Sequence, residues 1–249
     1  MLVAAAVCPC PPLLVPQVAA GAAPELDTAR AACADALGVL AAARPDLLVV
    51  VGPAEQSGRG VHAEGTRGSF RGFGVDVDVR LGADGGVGVD VRRGADHGED
   101  EPRPLPTSLA VAAWLLERTG WSDAPIEGLG VGEPLEPERC IQTGRGIAGR
   151  AERVALLVMG DASACRTLKA PGYLDERAAP FDAEVARALG AADVAALRAL
   201  DAELAYELKA SGRAPWQVLA GAAEGAGLGG SLLYENAPYG VGYVVAAWS

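Results

Sequence analysis

The sequence predicts an α/β fold: one three-layer αβα domain spanning residues 1–249, with a mixed, largely parallel central sheet and a peripheral β-hairpin. Three observations predict it. Two short apolar runs, residues 2–8 and 46–51 (DLLVVV), flank a helix-forming stretch and so form a strand, helix, strand unit of a parallel sheet. Valines alternate with polar residues at 75, 77 and 79, and again at 87, 89 and 91, around Gly85-Gly86, the pattern of a hairpin with one solvated face. Half of the 249 residues are hydrophobic, enough to bury a full core.

Taken in order, residues 2–8 read as a buried first strand stopped by Pro9, Pro11 and Pro12. This apolar start before Cys8 lacks the basic segment of a secretory signal, which is why it is read as core. Residues 24–44 carry Leu26, Ala29, Cys33, Leu37 and Leu40 at spacings of three and four, a helix with one apolar face. After the strand at 46–51 and the hairpin, the charged, Pro-rich stretch 94–106 reads as a loop, and Thr107 or Ser108 is placed to cap a helix running to Thr119. Residues 126–131 and 154–159 read as strands, with a helix over 136–149 between them that Gly144 and Gly146 weaken. Helices are predicted at 180–189, at 194–210 with Leu197, Leu200, Leu204 and Leu208 on one stripe, and from Pro215 to about residue 226. Residues 232–234 and 241–247 close the chain as strands.

Charge narrows the function classes. With 21 basic against 32 acidic residues the net charge is −11, which repels phosphate backbones and anionic lipid, so nucleic acid and membranes are not expected partners. Five cysteines, an odd number at irregular spacing, fit a reduced, cytoplasmic setting. The glycines at 58–60 and 68–74 lack a phosphate-loop pattern. His62 and His97 fall in Gly- and charge-rich loops and are expected to be solvated.

Ligands of open α/β sheets sit beyond the carboxyl ends of strands, so the polar residues that follow the apolar runs are the site candidates. Those segments are CPCPP at 8–12, GPAE at 52–55, GDASA at 160–164 and the turn SGRAP at 211–215. Cys8 is assigned to the core and Cys10 to a pocket. Asp161, in a turn after a buried strand, either caps backbone N–H groups or orients a ligand.

Read together and in this order, these segments resemble the superfamily of class III extradiol ring-cleavage dioxygenases and the related Memo-like proteins. The start CPCPPLLVP is similar to that family's HPPLLVPEV-type opening, with Cys10 in place of a metal-binding histidine. GPAE is similar to its GPxH segment, with Glu55 at the histidine place, or Ala54 in the SPH variant; GDASA is similar to GDxSH, with Ala164 at the catalytic histidine. SGRAP resembles the CGRxP segment of the Memo-like branch, with Ser211 for its cysteine, and Tyr239-Gly240-Val241-Gly242-Tyr243 resembles the family's last strand.

The resemblance implies Fe(II) held by two histidines and a carboxylate. Every family histidine position here holds another residue. The expected protein is therefore a divergent class III extradiol dioxygenase-like chain with a rebuilt or lost metal site, not an ordinary catechol-cleaving enzyme. If active, it is an oxidoreductase of that type, with Cys10, Asp161 and Ser211 as catalytic candidates and Cys10 and Glu55 as candidate ligands for iron or zinc; a site with no metal is the favoured reading. The alternative is a pseudoenzyme that binds a small molecule or a partner protein in the retained cleft, and a homo-oligomer stays open. Cys10 is expected to be an accessible but sluggish thiol, its pKa raised by Glu55, with Arg213 the one motif residue placed to lower it.

Overall fold

A computed structural model describes residues 1–82 and 103–249. The predicted turn at 83–86, the second hairpin strand at 87–91 and His97 lie outside the described residues.

The chain begins with β1 (Leu2–Cys8), passes a short α1 (Pro16–Ala19) and a 3₁₀ segment, and enters α2 (Asp27–Ala42). It continues through β2 (Leu47–Pro53), β3 (Gly60–His62), β4 (Arg67–Ser69) and β5 (Asp78–Arg80) to α3 (Thr107–Thr119). Next come β6 (Ile126–Val131), α4 (Pro137–Ala148), β7 (Val154–Met159) and α5 (Ala178–Gly190). The rest is α6 (Val194–Arg198), α7 (Ala202–Glu207), α8 (Arg213–Ala222), β8 (Gly230–Asn236) and β9 (Tyr243–Trp248).

Seven strands form one sheet in the order β3-β6-β2-β7-β1-β9-β8. The inner four, β6, β2, β7 and β1, are parallel, and β3 and the β9–β8 pair add antiparallel edges. Strands buried on both faces must be apolar throughout, and β7 (VALLVM) is buried at every residue. Helices α2 and α3 share one core layer with Ala4, Ala6 and Cys8; α4, α5 and α8 share the other with Ala5 and Val7. The chain thus leaves β1 and β2 toward one face and β6 and β7 toward the other, so neighbouring parallel strands open crevices between them at their carboxyl ends.

Among the described residues the peripheral two-stranded sheet pairs β5 with β4, Arg67 opposite Arg80. Two local expectations are corrected. No side chain caps α3: its N-cap is Pro106, and Ser108 instead donates from Oγ to the Pro53 carbonyl at 2.6 Å, tying the helix to the end of β2. The helix predicted over 194–210 is two helices, because the Asp201 carboxylate accepts from the N–H groups of Glu203 and Leu204 and starts α7 afresh.

Gly144, which weakened the prediction of α4, is where α4 crosses α8: a Cβ there would lie 1.9 Å from the Val218 carbonyl oxygen, and one at Gly221 would lie 2.1 Å from that of Ile141. Gly146, about half a turn further on, has nothing within 4 Å of such a Cβ. Gly144→Ala is expected to lower stability by about 1–3 kcal/mol, since the helices must part. Gly146→Ala is expected to raise it by about 0.5–1 kcal/mol. Urea unfolding of the two variants checks the contrast.

Candidate functional site

The carboxyl ends of β7 and β1 meet where Gly160 follows β7, its N–H donating to the Cys8 carbonyl at 3.0 Å. Beyond it the Cys10 backbone N–H donates to Asp161 Oδ1 at 2.8 Å. Asp161 N–H donates to Ser211 Oγ at 3.1 Å, and Gly212 N–H to the Asp161 carbonyl at 2.9 Å. Two glycines permit this approach of segments that are 50 residues apart in sequence. A Cβ at Gly160 would lie 2.4 Å from Gly212 Cα, and one at Gly212 would lie 2.2 Å from the Trp216 ring. Cys10, Asp161 and Ser211, all candidates from the sequence, are therefore brought together. Of the two roles left open for Asp161, its Oδ1 takes the first, satisfying a backbone donor, while its other oxygen accepts no hydrogen bond among the described residues.

Asp161 keeps part of its surface exposed, but the protein around it withholds most of the water a carboxylate needs, and its pKa rises to about 7. The Cys10 N–H, which favours the charged form, offsets only part of that effect. Cys10 is held well above the usual thiol range, first by burial and then by the Asp161 charge, with the Ser211 hydroxyl acting the other way. The expectation of an accessible thiol influenced by Glu55 is corrected: Cys10 is 7% exposed, and its acidic neighbour is Asp161. Cys8, 0% exposed, is core as expected.

Glu55 is exposed after β2, two strands from β1 and so about 10 Å away at ordinary strand spacing. It lines a separate groove with Pro53, Ser57, Arg103 and Thr107 that includes none of Cys10, Asp161 and Ser211. Arg213 is corrected too. It is buried and is not among the groups that shift Cys10, donating instead to the Glu133 and Leu135 carbonyls and to Gln217 Oε1, where it holds the loop after β6. His62 is not solvated but 3% exposed in β3, its Nε2 donating to the Gly58 carbonyl at 2.9 Å.

The support beneath Asp161 was not anticipated from the sequence. Asp182, 1% exposed on α5, accepts from Ser163 N–H at 2.8 Å, from Ser163 Oγ at 2.9 Å and from Arg166 at 2.9 Å, and so fixes the loop after β7. Its signal was a carboxylate inside the apolar stripe of Phe181, Val185 and Leu189. Tyr243 on β9 entered only through the family resemblance of its strand. It is 2% exposed, and burial together with the Asp161 charge raises its hydroxyl well above the ordinary phenol range.

The donor set does not suit the Fe(II) of an extradiol dioxygenase. The grouped side chains are one thiol, one carboxyl, one hydroxyl and one phenol, His62 is engaged elsewhere, and no group of three or more His, Cys, Asp or Glu among the described residues is placed to hold a metal ion. No helix among the described residues is long and apolar enough to cross a membrane.

No family model matches the chain, and no curated protein does. Among solved structures it is similar to an uncharacterized protein, JW3007, from Escherichia coli K12, over 99% of this chain and 99% of that one, with 14% identity and a TM-score of 0.50. A likeness at that identity concerns the fold alone.

A carboxyl whose folded pKa is raised favours the folded state when protonated, so its contribution falls as pH rises from the unfolded value near 4 through about 7, and is constant above. Asp161→Asn removes the charge and keeps an oxygen for the Cys10 N–H. The variant is expected to match the parent near pH 4 and to exceed it by about 2–4 kcal/mol at pH 8. Denaturant unfolding across that range checks the widening gap; parallel curves would contradict it.

Proposed function

We propose that the chain is a divergent member of the class III extradiol dioxygenase-like and Memo-like superfamily that does not open catechols by the iron mechanism, and that its cleft at the carboxyl ends of β7 and β1 binds a small molecule beside an acid–base carboxyl. The observation that carries this reading is Asp161, whose pKa of about 7 lets it give and take a proton near neutrality while Oδ1 is fixed by the Cys10 N–H. Its second oxygen is the one that exchanges the proton. Ser211 positions the carboxyl through Asp161 N–H, and Asp182 fixes the following residues through Ser163.

The order of the motifs along the chain supports the family reading. The replacement of each family histidine by Cys10, Glu55, Ala164 or a neighbour supports loss of the iron chemistry. That same loss favours a second reading, a pseudoenzyme that keeps the cleft for binding without turnover. Cys10 is a poor nucleophile in either case, since a thiol reacts as its thiolate and burial beside Asp161 suppresses that form.

Untagged protein is expected to carry far less than one iron or zinc per chain by elemental analysis. Supplied with Fe(II) and either catechol or protocatechuate, it is expected to form no ring-opened product. A yellow product lost on chelation and restored by iron would contradict the proposal.

A further inference from the structure

We propose that the cleft lined by Ser211 and Lys209 is a binding site for a small apolar carboxylate, with the Lys209 ammonium as the group that recognises it. The proposal rests on the small-molecule reading above, to which it adds the class of ligand and a residue outside the sequence motifs.

The cleft, of about 390 Å³, is lined by Glu133 in the loop after β6, by Ala205, Tyr206 and Glu207 of α7, and by Lys209 and Ser211 in the turn before α8. That volume is within the range of small-molecule pockets. Ser211 joins the cleft to the loop after β7 by accepting the Asp161 N–H, so the cleft opens past the carboxyl ends of β6 and β7, where ligands of such sheets sit.

Charge pairing selects the ligand. Glu133 is held by Arg213 at 3.2 Å and Glu207 by Arg177 at 2.7 Å, an arginine that Asp175 shares. Lys209 makes no ion pair among the described residues, so it is the one charge lining the cleft without a partner of opposite sign. One ammonium beside one hydroxyl matches a carboxylate: Lys209 donates a charge-assisted hydrogen bond to one oxygen, and Ser211 Oγ can turn its hydrogen to the other. A phosphate dianion would bring more charge than Lys209 offsets, and no arginine lines the cleft to receive it. The ligand's apolar part has Ala205 and the ring of Tyr206 to lie on, the latter the most exposed large hydrophobic side chain among the described residues.

The backbone at Lys209 points the same way. Its N–H donates to the Tyr206 carbonyl at 3.0 Å and the Ala210 N–H to the Ala205 carbonyl at 2.8 Å, the pair of bonds that ends a helix on a left-handed residue. Lys209 is that residue, with a φ of 56°. Glycine is the usual occupant, yet a chain with 33 glycines and only two lysines sets one of its lysines there. Backbone held in such a region collects at ligand sites, where the side chain it carries is needed. The stem of Lys209 is seated as well. A Cβ on Gly172 would lie 3.2 Å from Lys209 Cδ, so the bare glycine leaves the stem room against the loop after β7.

Hexanoate is the probe, with hexanamide as its neutral counterpart and inorganic phosphate as the competing anion. Titrations of the full chain followed in ¹⁵N–¹H correlation spectra give both the affinity and the place. Hexanoate is expected to bind with a Kd of about 1 mM and to move the amides of Ala205, Lys209 and Ser211, with hexanamide at least about tenfold weaker and phosphate without effect on them. Lys209→Gln and Lys209→Gly are each expected to weaken hexanoate about tenfold and to leave hexanamide unchanged. Glycine suits the left-handed backbone, so Lys209→Gly keeps the fold and its lost binding is not lost structure. A Lys209 that served only the carbonyl end of α7 would alter stability and leave the ratio of the two affinities untouched. The inference is overturned if hexanoate and hexanamide bind alike or not at all, if neither substitution changes their ratio, if phosphate binds as well as hexanoate, or if the amides that move lie away from the cleft. Should Asp161→Asn still remove the pH dependence of stability, the acid–base carboxyl survives and only the carboxylate site fails.

Discussion

Parallel strands as deeply buried as β1, β2 and β7 leave polar groups little room in the sheet except at its carboxyl edge, and the structure depends on how that edge is closed. Between β7 and β1 it is closed by a single side chain: Asp161 accepts the Cys10 N–H, which no strand partner takes up. The bond requires a carboxylate oxygen where solvent is scarce, and the consequence is the raised pKa of about 7. A backbone donor that must be satisfied and a charge that is costly to bury thus meet in one residue.

The surrounding architecture holds that residue in place. Gly160 and Gly212 lack the Cβ atoms that would separate their segments, so Ser211 reaches Asp161 N–H. The buried Asp182, bonded to Ser163 and Arg166, fixes the loop from the α5 side, and β9 grips it through Gly242. Arg213, in the same motif as Ser211, is committed to the loop after β6. The motif positions therefore divide between those that build the loops and those that face the cleft.

Much of this was legible in the sequence. Strands buried on both faces announce themselves as continuous apolar runs, so β1 and β7 fell where expected, and the pocket-forming turns followed from the rule that ligands sit past strand ends. The errors came from interactions with no local signature. Period 3.6 ran through 194–210 because an Asp201 cap looks like any surface aspartate until its carboxylate turns back on the backbone. Gly144 looked like a helix weakener because its reason is another helix, Gly221 and its neighbours, far along the chain. His62 looked solvated because its loop is short of apolar residues, although β3 packs it inside. Glu55 and Asp161 are both acidic residues after parallel strands; only strand order, with β7 and not β2 beside β1, makes Asp161 the neighbour of Cys10.

The central claim is that Asp161 titrates near neutrality while bonded to the Cys10 amide. That amide reports the titration directly, because protonating the acceptor changes the shift of the N–H that donates to it. Followed by ¹⁵N–¹H correlation spectra from pH 4 to pH 9, the Cys10 amide is predicted to move with a midpoint near 7 and to stay still in Asp161→Asn. A midpoint near the ordinary aspartate value of about 3.9, or a movement that persists in the variant, would contradict the account.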